Sequence, residues 1–395
     1  MDEMKKFRCG RDAQIAASLV LVLGGCSGER ADAINNVGGP SMDPTVGMVP
    51  AVGMDPKPAP SSPSPAPSTS TPSASTSGPL PQSLRTCMPS AVTTLTSPQM
   101  SSEGDGKRTI GDKGYVVTPE FTVNPALPHG VVKEFTMNSA DSKIFPGVKG
   151  PYTRRVWVYV PVGYVPGSPA PFIVVQDGYG YADDIPNLLD SLIPGKCLPK
   201  MVGIMIDNGG GTGPGSERGF EYDNVSDRYA RFLETEVFPR VEQEASVVLT
   251  KDGEGGAALG GSSGGTAAFG LGWFRPERFR RIITYSGSYV NWQSPKDPLY
   301  PYGAWEYHAT LIPKSDPKPL RVWLEVASGD WDATSAPRVQ LDMQTANLKM
   351  YETLAAKGLH VQYNYAQNAG HNDPIVSGAT LVDALIWLWR GYPIE

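Results

Sequence analysis

The pattern of hydrophobic positions changes near residue 150. Downstream of that point, apolar runs of strand length alternate with segments whose apolar residues recur at helical spacing. The strand-like runs include "RRVWVYVP", "APFIVVQ", "KMVGIMI", "GAALGGS", "RRIITYS", "LRVWLEVA" and "HVQYNYA". Alternating strands and helices favour a parallel sheet covered by helices on both faces, and continuous apolar runs are typical of strands buried on both sides. We therefore predict an α/β fold with a mostly parallel, doubly wound sheet, to which residues 109–150 add a small N-terminal β extension.

The first thirty residues have a different pattern. Four basic residues precede an apolar run, Ile15–Leu23, which is too short to span a bilayer and is typical of a signal peptide. The run ends in Leu23-Gly24-Gly25-Cys26, which is similar to the lipobox of bacterial lipoproteins. This pattern predicts a signal peptide over residues 1–25 and a lipid on Cys26. An ordinary secretory signal is the alternative, and in either case we expect an exported protein.

A tether is predicted between the signal and the globular part. The stretch Pro56–Pro81 consists almost entirely of Pro, Ser, Ala and Thr, and no aromatic residue occurs between Phe7 and Tyr115. Such a segment cannot bury enough apolar surface to offset the entropy lost on ordering. We expect residues 26–104 to be a disordered spacer and residues 105–395 to form one domain, which contacts a membrane only through the lipid anchor.

Composition and cysteine usage narrow the possible partners. Hydrophobic residues make up 40% of the chain, charged residues 19%, and the formal net charge is −6. Because no basic tract stands out, nucleic acid is not an expected partner. With Cys9 in the signal and Cys26 as the lipid site, Cys87 and Cys197 remain, and two cysteines in an oxidising compartment favour a disulfide. The alternative is two unrelated thiols.

The stretch "ALGGSSGG" carries the strongest chemical signal. Within it, Gly261–Gly265 fits the pattern G-x-S-x-G with Ser263 at its centre, after a predicted strand and before a predicted helix. That context is typical of the nucleophile elbow of α/β-hydrolases, where a tight turn presents a serine at the carboxyl edge of the sheet. A plain strand–helix turn is the alternative. The glycine-rich stretch "NGGGTGPG" (208–215) lacks the Gly-Lys-Ser/Thr of a P-loop and is predicted to be only a loop.

A serine nucleophile needs a base and an acid. In α/β-hydrolases both follow the serine in the chain, first the acid and then the histidine that acts as base. His371 lies in "QNAGHNDP", between the last predicted strand and the last predicted helix, where the base is expected. Asp330 is the first acidic residue past the strand "RVWLEVASGD" and is the predicted acid. Asp332 is the alternative acid, and both aspartates could instead cap their own loop.

Several stretches together resemble one family. They cover about residues 120–393 and include "FTMNSADSKIFPG", "GSERGFEYDNVSDRYARFLETEVFP", "LGGSSGGTAAFG", "YSGSYVN", "GAWEYH" and "NAGH". The chain resembles the enterochelin-esterase-like branch of the esterase D family. This resemblance implies an α/β-hydrolase fold, no cofactor or metal, and a triad of Ser263, His371 and Asp330. It also implies an oxyanion hole made by the backbone N–H groups of Gly264 and Tyr179.

The resemblance points to further pocket residues. The family's R-x-x-E-Y segment falls on Arg218, Glu221 and Tyr222, which we expect in the pocket wall, although an Arg–Glu ion pair that only fixes the loop is an equal alternative. The aromatic stretch 291–308, with Trp305 and His308, either lines the pocket or is a packed loop.

The expected activity is carboxylic ester hydrolysis through an acyl-enzyme. The expected substrate is a small-molecule or carbohydrate-linked ester, for example a feruloyl, acetyl-sugar or siderophore ester. An acyltransferase of the same fold and a non-catalytic binding module are the alternatives. The oligomeric state stays open at this point.

Overall fold

The computed structural model describes residues 84–88, 90–93, 95 and 104–395. In this part of the chain there are eleven strands, which are β1 (Gly106–Ile110), β2 (Val131–Asn138), β3 (Thr153–Val160), β4 (Pro169–Ala170), β5 (Phe172–Gln176), β6 (Val202–Ile206), β7 (Val248–Leu249), β8 (Gly256–Gly261), β9 (Arg281–Tyr285), β10 (Arg321–Ala327) and β11 (His360–Ala366). The α-helices of the same residues are α1 (Asp184–Leu192), α2 (Glu217–Tyr222), α3 (Arg228–Phe232), α4 (Phe238–Ala245), α5 (Ser263–Phe274), α6 (Ile312–Lys314), α7 (Met343–Ala356) and α8 (Pro374–Leu388).

Nine strands form one sheet in the order β1-β11-β10-β9-β8-β5-β6-β3-β2. Neighbouring strands are parallel except at β2/β3 and β3/β6, which are antiparallel. The prediction of a mostly parallel α/β sheet is therefore confirmed. The N-terminal extension contributes strands to both edges of this sheet, because β1 pairs with β11 while β2 pairs with β3.

Helices cover both faces of the sheet. Consecutive residues of a strand point to opposite faces, so Ala258 of β8 belongs to one apolar cluster and Leu259 to the other. The first cluster includes Phe269 of α5 and Met350 of α7, and the second includes residues of α1 and α8 such as Leu385. Burial from both sides explains why the central strands read as continuous apolar runs.

The domain begins earlier than the sequence predicts. Cys87 and Cys197 form a disulfide, and the Cys87 N–H donates to the Gly195 carbonyl at 2.9 Å. Further along, Leu95 is buried and its N–H donates to Glu254 Oε1 at 2.8 Å. The expected boundary at residue 105 is thus corrected. Residues 84–95 lack a long apolar run, but the covalent link and these backbone bonds fix the described part of them against the domain.

The predicted signal peptide, the lipid site Cys26 and the earlier part of the tether lie outside the described residues. Among the residues that are described, no helix combines the length and the apolar character needed to cross a membrane.

Candidate active site

The carboxyl ends of β5, β8, β10 and β11 meet at one edge of the sheet. Asp177 follows β5, Ser262 follows β8, Asp330 lies beyond β10 and His371 lies beyond β11. A cavity of about 710 Å³ opens at this edge. Its walls come from the loops after β5 and β6, the turn after β8, the start of α8 and the N-terminal extension, and they include Val117, Phe121, Asp177, Tyr179, Tyr181, Asn208, Arg218, Ser262, His371 and Pro374.

Ser262 occupies a strained turn between β8 and α5. Its φ of 56° and ψ of −128° lie in a region that L-residues rarely adopt. The turn is held from both sides, since the Ser262 N–H donates to the Tyr285 carbonyl at 2.9 Å and the Ser262 carbonyl accepts from the Ser288 N–H at 3.1 Å. A Cβ at Gly260 would lie 2.2 Å from the Gly264 carbonyl oxygen, so this close approach requires glycine.

The serine facing the histidine is Ser262 and not Ser263. His371 Nε2 lies 2.9 Å from Ser262 Oγ, whereas Ser263 is the first residue of α5 and is only 1% exposed. The prediction that Ser263 faces the histidine is wrong, because the doubled glycines let both serines fit G-x-S-x-G and the sequence pattern does not distinguish them. Because Ser262 faces His371, the backbone N–H that directly follows this serine is that of Ser263 and not the predicted Gly264 N–H.

His371 links the serine to a buried carboxylate. Its Nδ1 is hydrogen-bonded to Oδ1 of Asp330, which is 4% exposed. The Asp330 carboxylate is itself fixed, because Oδ2 accepts from the Ala327 N–H at 2.8 Å. The structure therefore brings Ser262, His371 and Asp330 into one hydrogen-bonded line.

Asp332, the alternative acid, is separate from this line. Its exposed carboxylate accepts hydrogen bonds from Thr334 and Ser335, and these bonds lower its pKa to about 2. Asp332 thus caps its own loop, which is the role that the sequence left open for it.

Arg218 lines the cavity as expected, but its ion-pair partner is Asp177, which the sequence did not predict. Its Nε and Nη2 lie 2.9 and 2.6 Å from the two carboxylate oxygens of Asp177, which has a left-handed φ of 58°. Burial lowers the pKa of the Arg218 guanidinium, but the hydrogen bond and charge of Asp177, with Tyr222 and Asp223, raise it above its ordinary value. Asn208 Nδ2 donates to the same carboxylate at 2.6 Å. Asp177 therefore forms an ion pair with Arg218 at the site.

The other residues of the R-x-x-E-Y segment lie away from the cavity wall. Glu221 is buried and pairs with Arg154 at 2.8 Å, so the predicted Arg–Glu alternative within the segment is wrong. Tyr222 is also buried, and its hydroxyl accepts from the Asp177 N–H at 3.3 Å. These two residues therefore pack and hydrogen-bond beneath the cavity wall and do not line it.

Tyr179 lines the cavity, but its amide has a partner. The Tyr179 N–H donates to Asp207 Oδ1 at 2.9 Å, and the side chain is 67% exposed. The predicted oxyanion donor is thus hydrogen-bonded to a carboxylate in this structure.

The aromatic stretch 291–308 is a packed segment at Trp305 and His308. Their rings contact each other with centroids 4.4 Å apart, and neither residue belongs to the cavity wall. Burial, with the Lys349 charge, lowers the pKa of His308 to about 4. Of the two alternatives that the sequence left open, the structure therefore shows the packed loop at Trp305 and His308 and not the pocket wall.

Three features of the site were missed by the sequence analysis. Val117 and Phe121 come from the extension before β2, and Gly210–Thr212 from the glycine-rich loop after β6. The third is Asp223, buried near Ser263, where burial raises the carboxyl pKa to about 7 against the opposing effects of the Ser263 hydroxyl and the Arg218 charge. Of these three features, only the glycine-rich loop could have been indicated by the sequence, through its position after a buried strand.

Within the described part of the chain, no three His, Cys, Asp or Glu side chains converge as a metal site.

This sheet, with a strained serine at a strand–helix turn and a histidine beyond the last strand, defines an α/β-hydrolase fold. Residues 151–388, more than half of the chain, match a family model described as "Putative esterase". The chain belongs to this esterase family.

Individual relatives agree with that assignment. The chain is 26% identical over 250 residues to the iron(III) enterobactin esterase of Dickeya dadantii (strain 3937), covering 60% of this chain and 52% of the relative. It thus spans about half the length of that curated relative.

Two solved structures share the fold. The enterobactin esterase of Shigella flexneri, determined in the presence of 2,3-dihydroxy-N-benzoyl-glycine, superposes with a TM-score of 0.51 at 23% identity, over 71% of this chain and 64% of that chain. A ferulic acid esterase from Anaeromyces mucronatus, in complex with ferulic acid, gives a TM-score of 0.51 at 14% identity, over 70% and 98% of the two chains.

Proposed function

We propose that this protein is a serine carboxylic ester hydrolase whose nucleophile, base and acid are Ser262, His371 and Asp330. The observation that carries the proposal is the pair of contacts made by His371. Its Nε2 lies 2.9 Å from Ser262 Oγ, and its Nδ1 is bonded to the buried Asp330. Nucleophile, base and orienting acid within hydrogen-bond reach are the geometric signature of nucleophilic catalysis.

The reaction follows from these contacts. Ser262 Oγ attacks the ester carbonyl while His371 Nε2 takes the serine proton. Asp330 accepts the hydrogen bond from Nδ1, which fixes the tautomer and stabilises the imidazolium. His371 then returns the proton to the departing alkoxide, and the acyl group stays on Ser262. Water, activated by His371, releases the acid in the second half of the reaction.

The oxyanion is stabilised at the start of α5. The first N–H groups of a helix have no acceptor within it, and a helix of 12 residues adds a positive dipole end. The Ser263 N–H, directly after the nucleophile, is the first donor. Tyr179 supplies the second when its N–H exchanges Asp207 for the substrate oxygen. Removal of one such donor typically costs about 2.7–4 kcal/mol of transition-state stabilisation.

The proposed substrate is a small-molecule or carbohydrate-linked ester. Esters whose acyl part carries an aromatic group, such as feruloyl and siderophore esters, are the first class to test, because the chain is similar to an enterobactin esterase and shares its fold with a ferulic acid esterase. A cavity of about 710 Å³ with Tyr179 and Tyr181 in its wall supports a ligand of that size and character. Acetylated sugars are the second class.

We also propose export, with anchoring through Cys26. The Cys87–Cys197 disulfide supports an oxidising compartment. Mass spectrometry of the mature N-terminus tests the anchor. A lipid-modified Cys26 at the N-terminus is expected, and an unmodified terminus elsewhere would contradict the anchor without affecting the enzymatic proposal.

A panel of p-nitrophenyl, feruloyl, acetyl-sugar and catecholate esters tests the activity. Wild-type protein should hydrolyse at least one class, and Ser262→Ala should lose that turnover while keeping the wild-type melting temperature. Addition of an alcohol acceptor separates hydrolysis from acyl transfer, since a transferase would form the new ester in preference to the free acid. Equal turnover by wild type and Ser262→Ala would refute the proposal.

A further inference from the structure

The N-terminal extension forms one wall of the cavity. Val117 and Phe121 line the same space as Ser262 and His371, although both precede residues 151–388 that match the esterase family. Val117 is 48% exposed, so its branched apolar side chain is accessible from the cavity. We infer that Val117, supported by the segment 111–121, binds an apolar group on the alcohol part of the ester substrate. This inference rests on the proposed esterase activity.

The segment is fixed at several points. The Tyr115 hydroxyl donates to the Gln367 carbonyl at 2.8 Å, just after β11. The Thr118 N–H donates to the Gly378 carbonyl at 3.0 Å, in α8. The Phe121 carbonyl accepts from Asn187 Nδ2 at 3.0 Å, in α1. A segment held by three separate elements presents Val117 in one position, as a substrate-binding wall requires.

A fourth contact joins the segment 111–121 to residues 84–88, which contain the disulfide-bonded Cys87. Glu120, which is 7% exposed, pairs with Arg85 at 2.6 Å. Arg85 lies two residues before Cys87, which is bonded to Cys197. The described residues 84–88 therefore give the segment a further point of attachment to the domain.

The position of His371 indicates that the Val117 wall contacts the alcohol part of the ester and not its acyl part. The histidine that deprotonates Ser262 must also protonate the leaving alkoxide, so the alcohol part departs past His371. Val117 packs closely on Gly378, where an added Cβ would lie 2.9 Å from Val117 Cγ2. Gly378 belongs to α8, which begins at Pro374, three residues after His371. Val117 thus stands on the His371 side of the nucleophile.

The other side of the nucleophile has a different character. In the sheet, β5 and β6 lie on the far side of β8 from β11. The loops after β5 and β6 place Asp177, Arg218 and Asn208 there, joined by their hydrogen bonds. Val117 therefore lies on the His371 side of Ser262, where the alcohol departs. The Asp177 network lies on the opposite side together with Tyr179 and Tyr181, and that side faces the acyl part of the ester.

A series of acetate esters with alcohols of increasing apolar size tests the inference. All members share one acetyl-enzyme, so differences in kcat/KM report the alcohol. Wild-type kcat/KM should rise with alcohol size, and the shape-conserving variant Val117→Thr should lower the value for the larger alcohols by about 10-fold, since one methyl group in an apolar pocket is worth at least that much. A second series with one alcohol and acyl chains of increasing length should be unchanged in Val117→Thr.

Val116→Thr is the matched control, because Val116 is 83% exposed, precedes Val117 and does not line the cavity. It should behave as wild type in both series. The inference is overturned if Val117→Thr and Val116→Thr give the same alcohol dependence, or if Val117→Thr changes the acyl series instead. In both of these cases wild-type turnover and its loss in Ser262→Ala persist, so the esterase proposal survives. Absence of wild-type turnover on every ester would overturn both.

Discussion

Arg218 holds both carboxylate oxygens of Asp177 and also reaches the turn that carries Ser262. Its Nη2 lies 2.6 Å from Asp177 Oδ2 and 3.4 Å from the Gly261 carbonyl oxygen. A Cβ at Gly264 would be 3.0 Å from the same Asp177 oxygen, so this carboxylate lies against the first turn of α5. Arg218 therefore neutralises a negative charge close to the place where we propose that the oxyanion develops, and it ties the loop after β5 to the nucleophile turn.

Arg218→Ala should lower kcat more than it raises KM. The loss leaves Asp177 unpaired beside the oxyanion and frees two loops, and misplacement of a catalytic group can cost about 10²-fold in rate. Asp177→Asn in the same chain should restore part of kcat, because it removes the unpaired charge. Steady-state kinetics of the two single variants and the double variant measure this coupling.

Arg231→Ala is a suitable control, since Arg231 of α3 forms an exposed ion pair with Asp227, the residue before this helix. It should leave kcat and KM within about 2-fold of wild type, as expected for a surface pair. If Arg218→Ala raises only KM, or if Asp177→Asn gives no recovery, Arg218 contributes substrate binding and not charge neutralisation.

His371 and His308 should differ in their effect on turnover. His371→Ala should lower kcat/KM by about 10²–10⁴-fold or more, because general-base assistance has that magnitude and triad members act as a unit. His308→Ala removes a ring that packs on Trp305 outside the cavity. It should leave kcat/KM nearly unchanged below the melting temperature. Loss of turnover in His308→Ala, with retention in His371→Ala, would exclude the proposed triad.

Asp223 should make stability depend on pH. Burial raises the pKa of this carboxyl to about 7 in the folded protein, above its ordinary value near 4. Between these two values the folded state binds more protons than the unfolded chain, so stability falls as pH rises from about 4 to 7 and levels off above that range. Asp223→Asn mimics the protonated form and should reduce this fall.

Thermal unfolding of wild type and Asp223→Asn at pH 5 and pH 8 measures the effect. The decrease in melting temperature between these pH values should be smaller in Asp223→Asn than in wild type. Asp332→Asn is the matched control, because this carboxylate is exposed and its pKa is lowered to about 2, below the pH range compared. An equal pH dependence in wild type and Asp223→Asn would show that Asp223 is ionised throughout.

Hydrophobic patterning was sufficient to predict the layers of the fold. Strands such as β5 and β6 have every residue buried, which makes them readable as continuous apolar runs. The edge strand β2 was predicted only as part of an unspecified β extension over residues 109–150, and most of β1 precedes that extension. Most of their residues are exposed or partly exposed, and polar edge strands carry little periodicity.

The site was harder to predict where identity depends on backbone geometry. His371 and Asp330 follow strands, so chain order could place them at the sheet edge. The choice between Ser262 and Ser263 could not be made in this way, since both are flanked by glycines and only one adopts the strained φ and ψ. Contacts distant in sequence, such as Arg218 with Asp177 and Val117 with Gly378, have no local signal at all.

Covalent labelling of the nucleophile tests the central claim most directly. A fluorophosphonate probe reacts with an activated serine hydroxyl, and fragmentation of the labelled peptide distinguishes neighbouring residues. We predict one phosphonate per chain, located on Ser262, with labelling lost in Ser262→Ala and His371→Ala and retained in Ser263→Ala. A phosphonate on Ser263, or Ser262→Ala protein that labels at the wild-type rate, would contradict the assignment of Ser262 as the nucleophile.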